Sequence, residues 1–135
     1  MTRQLELARL LLRKAEEDET VVFSVPDAVG LADSIFGFHC QQAVEKHLKA
    51  VLAARGVVYR RTHQVRELMD LVADSGESLP AALADLDEVS PFAVEFRYAE
   101  VPVGEEPPID RGALREKLRA LRDWAETQVE RAPPG

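Results

Sequence analysis

Between residues 31 and 56 apolar side chains return every three or four positions, with no proline to interrupt them. At 100° per residue, Cys40, Val44, Leu48, Val51 and Leu52 share one broad arc. Phe36, Ala43, Ala50 and Ala54 widen that arc with mostly small side chains. Ala, Leu, Glu, Gln and Lys, all good helix formers, dominate the stretch. It predicts one helix from about Leu31 to Arg55. Gly56 stands where a left-handed residue closes a helix, and Arg55 suits the negative end of the helix dipole. So wide an apolar arc fits a central helix with neighbours packed on more than one side. The remaining arc carries Phe38, His39, Gln42, Lys46 and Lys49, with Glu45 at its edge. Glu45 and Lys49 are four apart in the favourable order, which as an exposed pair is worth roughly 0.2–0.5 kcal/mol. This polar stripe reads equally as a solvated face or as the wall of a dimer cleft that meets anions.

The same periodicity predicts the other elements. Leu5, Ala8, Leu11, Leu12 and Ala15, continued by Val22, place a first helix over residues 3–25. Glu16, Glu17, Asp18 and Glu19 are expected to form a solvated acidic turn of it. Thr62 is a candidate N-cap for a third helix over 63–73, whose stripe is Val65, Leu68, Met69 and Val72 and whose end is Ser75-Gly76. Pro80 opens a fourth helix along Leu83, Leu86 and Val89, with a kink or restart at Ser90-Pro91. The prolines and glycine of residues 101–108 predict a loop. Asp110 caps a fifth helix with Leu114, Leu118, Leu121 and Ala125 inside and Trp124 beside them. Five helices with short connections and no strand pattern predict an all-α, up-and-down helical bundle. Residues 1–131 form one domain in this reading, and 132–135 a disordered tail.

Composition narrows the class. No apolar run is long enough to span a membrane, and Glu6 and Arg9 interrupt the N-terminal one, so no signal peptide is expected there. A single cysteine, Cys40, excludes an internal disulfide and suits a reducing, cytoplasmic setting. The net charge of −7 argues against coating nucleic acid by bulk electrostatics. The charge is uneven, however. Residues 31–66 hold Lys46, Lys49, Arg55, Arg60, Arg61 and Arg66 against only Asp33 and Glu45. A basic middle in an acidic chain suggests a local anion site or a charge-paired interface.

The run QQAVEKHLKAVLAARG, Gln41 to Gly56, resembles the signature helix of the HEPN family, the higher eukaryotes and prokaryotes nucleotide-binding domains. Thr62-His63, Phe96-Arg97-Tyr98 and Lys14-Ala15-Glu16-Glu17-Asp18 are similar to further family patterns, in the family's order; Gln64 replaces the acid of a Thr-His-Asp-Leu motif. The resemblance implies a helical bundle that forms a homodimer. It implies binding of nucleotide or short RNA, or partnership with a separately encoded minimal nucleotidyltransferase in a toxin–antitoxin-like pair. Ribonuclease members use an Arg followed, after four to six residues, by a His, and no arginine here lies at that distance before His39, His47 or His63. The expectation is therefore a binding module without catalytic residues. The alternatives are a metal-independent ribonuclease using Arg97 with His63 or His39, and a purely structural interaction module.

Other chemistry finds little support. His39 and His47 are eight apart and diverge on the helical wheel, a poor metal geometry, and Cys40 has no evident base. No glycine-rich phosphate loop occurs, and neither metal nor cofactor is expected. The candidates for holding phosphate are Gln42, Lys46, Lys49, Arg60, His63, Arg97 and Tyr98. His63 at a helix start serves either a phosphate or a local cap. Arg97 beside Tyr98 can clamp a phosphate and stack a base, or pair with Glu45 or Glu95 while Tyr98 packs inside. The expected dimer interface is the central helix together with the Arg97 end of the fourth.

Overall fold

The computed structural model describes residues 3–24, 30–92 and 109–132. Their elements are helix α1 (Arg3–Ser24), α2 (Asp33–Ala54), α3 (Val65–Asp74), two 3₁₀ stretches (Ala81–Leu83 and Leu86–Phe92) and α4 (Arg111–Glu130). The all-α expectation holds. Pro26, residues 93–108 with Arg97 and Tyr98, the expected loop at 101–108, and the tail from Pro133 onward lie outside the described residues.

α2 is the centre of the bundle. It packs most extensively on α1 and also meets α3, α4 and the second 3₁₀ stretch. Phe36, Cys40, Val44, Leu48 and Leu52 join Leu68, Leu86, Leu118 and Leu121 in the main core. Ala8 of α1 packs with Ala50, Ala53 and Ala54 in a second cluster. Small residues there let the start of α1 and the end of α2 lie close together. α2 ends as its sequence predicts. Gly56 adopts φ +71, the Gly56 amide donates to the Ala53 carbonyl at 3.0 Å and that of Val57 to Leu52 at 2.9 Å, a Schellman closure. Asp110 caps α4, its Oδ1 accepting from the Ala113 amide at 3.0 Å.

Two local expectations need correction. Thr62 does not cap α3 directly: the helix begins at Val65, and the Thr62 hydroxyl accepts from the Gln64 amide at 3.0 Å within the approach to it. Among the described residues, 81–92 of the expected fourth helix form 3₁₀ stretches and no α-helix, and no break falls at Ser90-Pro91. The second 3₁₀ stretch runs through Pro91 to Phe92. The reason lies in the spacing. Leu83, Leu86, Val89 and Phe92 recur every three residues and are all buried. At three residues per turn a 3₁₀ backbone stacks such side chains in one row, whereas an α-helix would rotate them apart.

That row ends against α2. A Cβ built on Gly37 would stand 2.5 Å from the ring of Phe92. Gly37→Ala should gain helix propensity but force the Phe92 ring out of its seat. Overpacking of this kind costs about 1–3 kcal/mol against a propensity gain of about 0.5–1. The expected outcome is a net loss of stability, measured by chemical denaturation, where propensity alone would forecast a gain.

Candidate functional site

His39, Gln42, Lys46 and Lys49 recur along α2 at spacings of three and four, on one side of the helix, and each is partly exposed. Both lysines are held by carboxylates. Lys46 Nζ donates to Asp18 Oδ2, and His39 Nδ1 lies 2.9 Å from Oδ1 of the same aspartate. Lys49 Nζ donates to Glu45 Oε1 at 2.6 Å, and His63 Nδ1 lies 3.0 Å from Glu45 Oε2. Asp18 and Glu45 therefore each fix one lysine and one imidazole.

The row is braced from below. Gln41 is fully buried; its Nε2 donates to Glu45 Oε2 at 2.8 Å, and its Oε1 accepts from Gln42 Nε2 at 2.7 Å. Burial alone would push the Glu45 carboxyl up, but the hydrogen bonds from Lys49, His63 and Gln41 outweigh it and hold the group below the ordinary carboxylate value. Tyr59 closes one end, with Lys49 Nζ 5.7 Å from its ring centroid. Its hydroxyl is pushed up by burial and by the negative charge of Glu45.

A second, deeper cluster lies between α1, α2 and α4. Glu19, 2% exposed, bonds through Oε1 to Nε2 of His47, which is 1% exposed. Its Oε2 accepts from Arg122 at 3.2 Å. His47 Nδ1 is buried without a hydrogen-bond partner, so the Nε2–H tautomer fits, since a proton on Nδ1 would be orphaned. The guanidinium groups of Arg111 and Arg115 lie over Phe36 at 4.9 and 5.2 Å, and that of Arg119 over Phe23 at 4.8 Å. Cys40 sits beneath this edge. Burial pushes its thiol up to about 12, and Arg115 and Arg111 offset that only in part, so it is no nucleophile.

The structure thus gathers Gln42, Lys46, Lys49 and His63 along one line, and leaves Arg60 apart from it. Arg60 is exposed and pairs with Glu67, Nη2 to Oε1 at 2.7 Å. Two charge readings change. The acidic turn of α1 is not wholly solvated, because Asp18 and Glu19 are buried against α2. The Glu45–Lys49 pair is not an exposed one, because Glu45 is buried.

Residues 8–129, nearly the whole bundle, match the HEPN domain. The chain belongs to the HEPN family. Among curated proteins this HEPN chain is similar to "Putative toxin MJ1304" of Methanocaldococcus jannaschii, 39% identical over 57 residues. That match covers 42% of this chain and 36% of the relative, so about a third of the relative's length. No solved structure matches the chain. Among the described residues no helix is long and apolar enough to cross a membrane.

The sequence reading missed Asp18, Glu19, Gln41 and His47 as members of the polar network. A signal for Glu19 exists: it stands four after Ala15 and three before Val22, on the buried line of α1. His47 likewise stands three after Val44 and four before Val51. A charged or titratable residue on an apolar line requires a buried partner, and here each is the other's.

Proposed function

We propose that this HEPN domain binds a phosphorylated ligand, a nucleotide or short RNA, along the His39–Gln42–Lys46–Lys49 row of α2, with His63 at its side. The observation that carries this reading is the pair of carboxylates, Asp18 and Glu45, each fixing one lysine and one imidazole in a partly buried line. A solvated face has no need of such bracing, because exposed ion pairs add little stability. Fixed donors, by contrast, are what phosphate recognition requires. Arg97 and Tyr98 remain candidate contributors to the same site.

Inorganic triphosphate is expected to bind to the row in a calorimetric titration, displacing Asp18 from Lys46 and Glu45 from Lys49. Lys46→Ala should weaken binding on the order of tenfold, about the worth of one charge-assisted hydrogen bond. No measurable binding would sink the reading.

The named toxin relative and the family membership also support a role in a toxin–antitoxin-like pair, as a homodimer and companion of a minimal nucleotidyltransferase, in the cytoplasm. A second reading rests on a different feature of the row. A carboxylate at Nδ1 orients an imidazole for proton transfer through Nε2, which favours metal-independent cleavage of RNA by His39 or His63. The same protein incubated with single-stranded RNA separates the two. Intact RNA favours the binding module, and cleavage abolished by His63→Ala or His39→Ala favours the ribonuclease.

A further inference from the structure

The lysine row of α2 runs into an apolar recess. Ala53 follows Lys49 by four residues and Lys46 by seven, so it stands on the same stripe, about 6 Å and about 10 Å further along the helix axis. There it lines, with Gln4, Leu7, Val57, Val58 and Tyr59, a recess of about 250 Å³. Tyr59 belongs to both features, because Lys49 Nζ lies 5.7 Å from its ring centroid. Leu7 and Val58, 44% and 91% exposed, are among the few large hydrophobic residues that the described part of the chain leaves to solvent.

The recess forms where the start of α1, the end of α2 and the connection after it meet. The closure of α2 makes room for it. A Cβ on Gly56 would stand 3.0 Å from Nε2 of Gln4, so the glycine lets the Gln4 amide lie against the chain reversal. That amide can both donate and accept a hydrogen bond. Pockets for drug-sized ligands hold about 300–1,000 Å³, so this one takes a single planar ring system. A partner helix would need several hollows in line for its successive apolar anchors.

We propose that this recess is a base subsite, and that the ligand is a mononucleotide with its phosphates on Lys46 and Lys49 and its base against Tyr59, Leu7 and Val58. This inference rests on the phosphate reading of the row. Along α2 the order is cation, aromatic ring, apolar hollow, and a nucleotide presents the complementary order of phosphate, sugar and base. Stacking on an aromatic ring accepts any base, so selection among bases falls to the Gln4 amide. A single hollow favours a mononucleotide over RNA, which would need a stacking surface for each further base.

Calorimetric titration of the full chain with ATP, and in parallel with inorganic triphosphate, tests the proposal. ATP is expected to bind on the order of tenfold more tightly, the worth of one base stacked on an aromatic ring. Leu7→Ser combined with Val58→Ser, both at exposed positions, should bring that ratio to about one with helical circular dichroism unchanged. Lys46→Ala should weaken both ligands by a similar factor and leave the ratio as it is. Triphosphate bound as tightly as ATP by the wild type would overturn the base subsite and leave the phosphate row standing. An ATP advantage that survives the double serine variant would overturn it as well, by placing the base elsewhere. Binding of neither ligand would overturn the row, and the base subsite with it. Should the double variant fail to fold, the wild-type comparison decides alone.

Discussion

Glu19→Ala is expected to destabilise the fold by about 3–5 kcal/mol, the cost of removing one partner from a buried ionic cluster. In a thermal melt this corresponds to a fall of roughly 10–20 °C for a chain of this size. The carboxylate joins His47 of α2 to Arg122 of α4 and is itself almost wholly enclosed. Without it the His47 Nε2–H joins Nδ1 as an unsatisfied buried atom, and a cavity opens beneath Val22. Arg122 suffers less, because it is a third exposed and can turn to water. The mechanism makes a further forecast. The cost comes from the stranded partner, not from the loss of a favourable pair. Replacing Glu19 and His47 together by leucine should therefore recover much of what either single change loses. A double replacement as unstable as the sum of the singles would show that the two groups are not coupled, and would overturn this account.

Glu45→Gln is expected to cost about 2–4 kcal/mol at neutral pH, since three donors converge on this carboxylate and an amide can satisfy only part of them. The pH dependence should change with it. The folded Glu45 carboxyl lies below the ordinary value of 4.5, held there by Lys49, His63 and Gln41 against the opposing effect of burial. A group whose pKa is lowered by folding contributes stability that is fully present above its unfolded pKa. That contribution disappears as pH falls through the lower, folded value. The wild type should therefore lose stability steeply below about pH 4.5, and Glu45→Gln should show a shallower acid limb. Denaturation midpoints between pH 3 and pH 7 measure both slopes; parallel curves would rule out Glu45 as a source of the acid sensitivity.

What the chain disclosed in advance follows physical range. The apolar arcs of α2 and α4, the Gly56 terminus and the Asp110 cap are local, set by residues within a turn or two of each other. All of them could be read along the sequence. The row of Leu83, Leu86, Val89 and Phe92 was legible in position but not in backbone type, because an apolar line alone does not distinguish three residues per turn from 3.6. The partners of Lys46 and Lys49 divide on the same principle. Glu45 is four residues from Lys49 and was visible. Asp18 is 28 residues from Lys46 and became its partner only through the α1–α2 packing. A stripe that looked cationic on one helix is thereby neutralised by the next.

The spans of these bonds also set an order of assembly. The contacts of His39, Lys46 and His47 with α1 close loops of 21 to 28 residues. The contact of Arg122 with Glu19 closes one of 103. Closing the longer loop costs about 1 kcal/mol more in chain entropy, and slower search accompanies it. The α1–α2 hairpin is thus the part of the chain that gains its contacts first, with α4 docking late on a surface already formed. Asp18, Glu45 and the whole His39–Gln42–Lys46–Lys49 row belong to that hairpin, so only Tyr59 and His63 join the polar row from outside it.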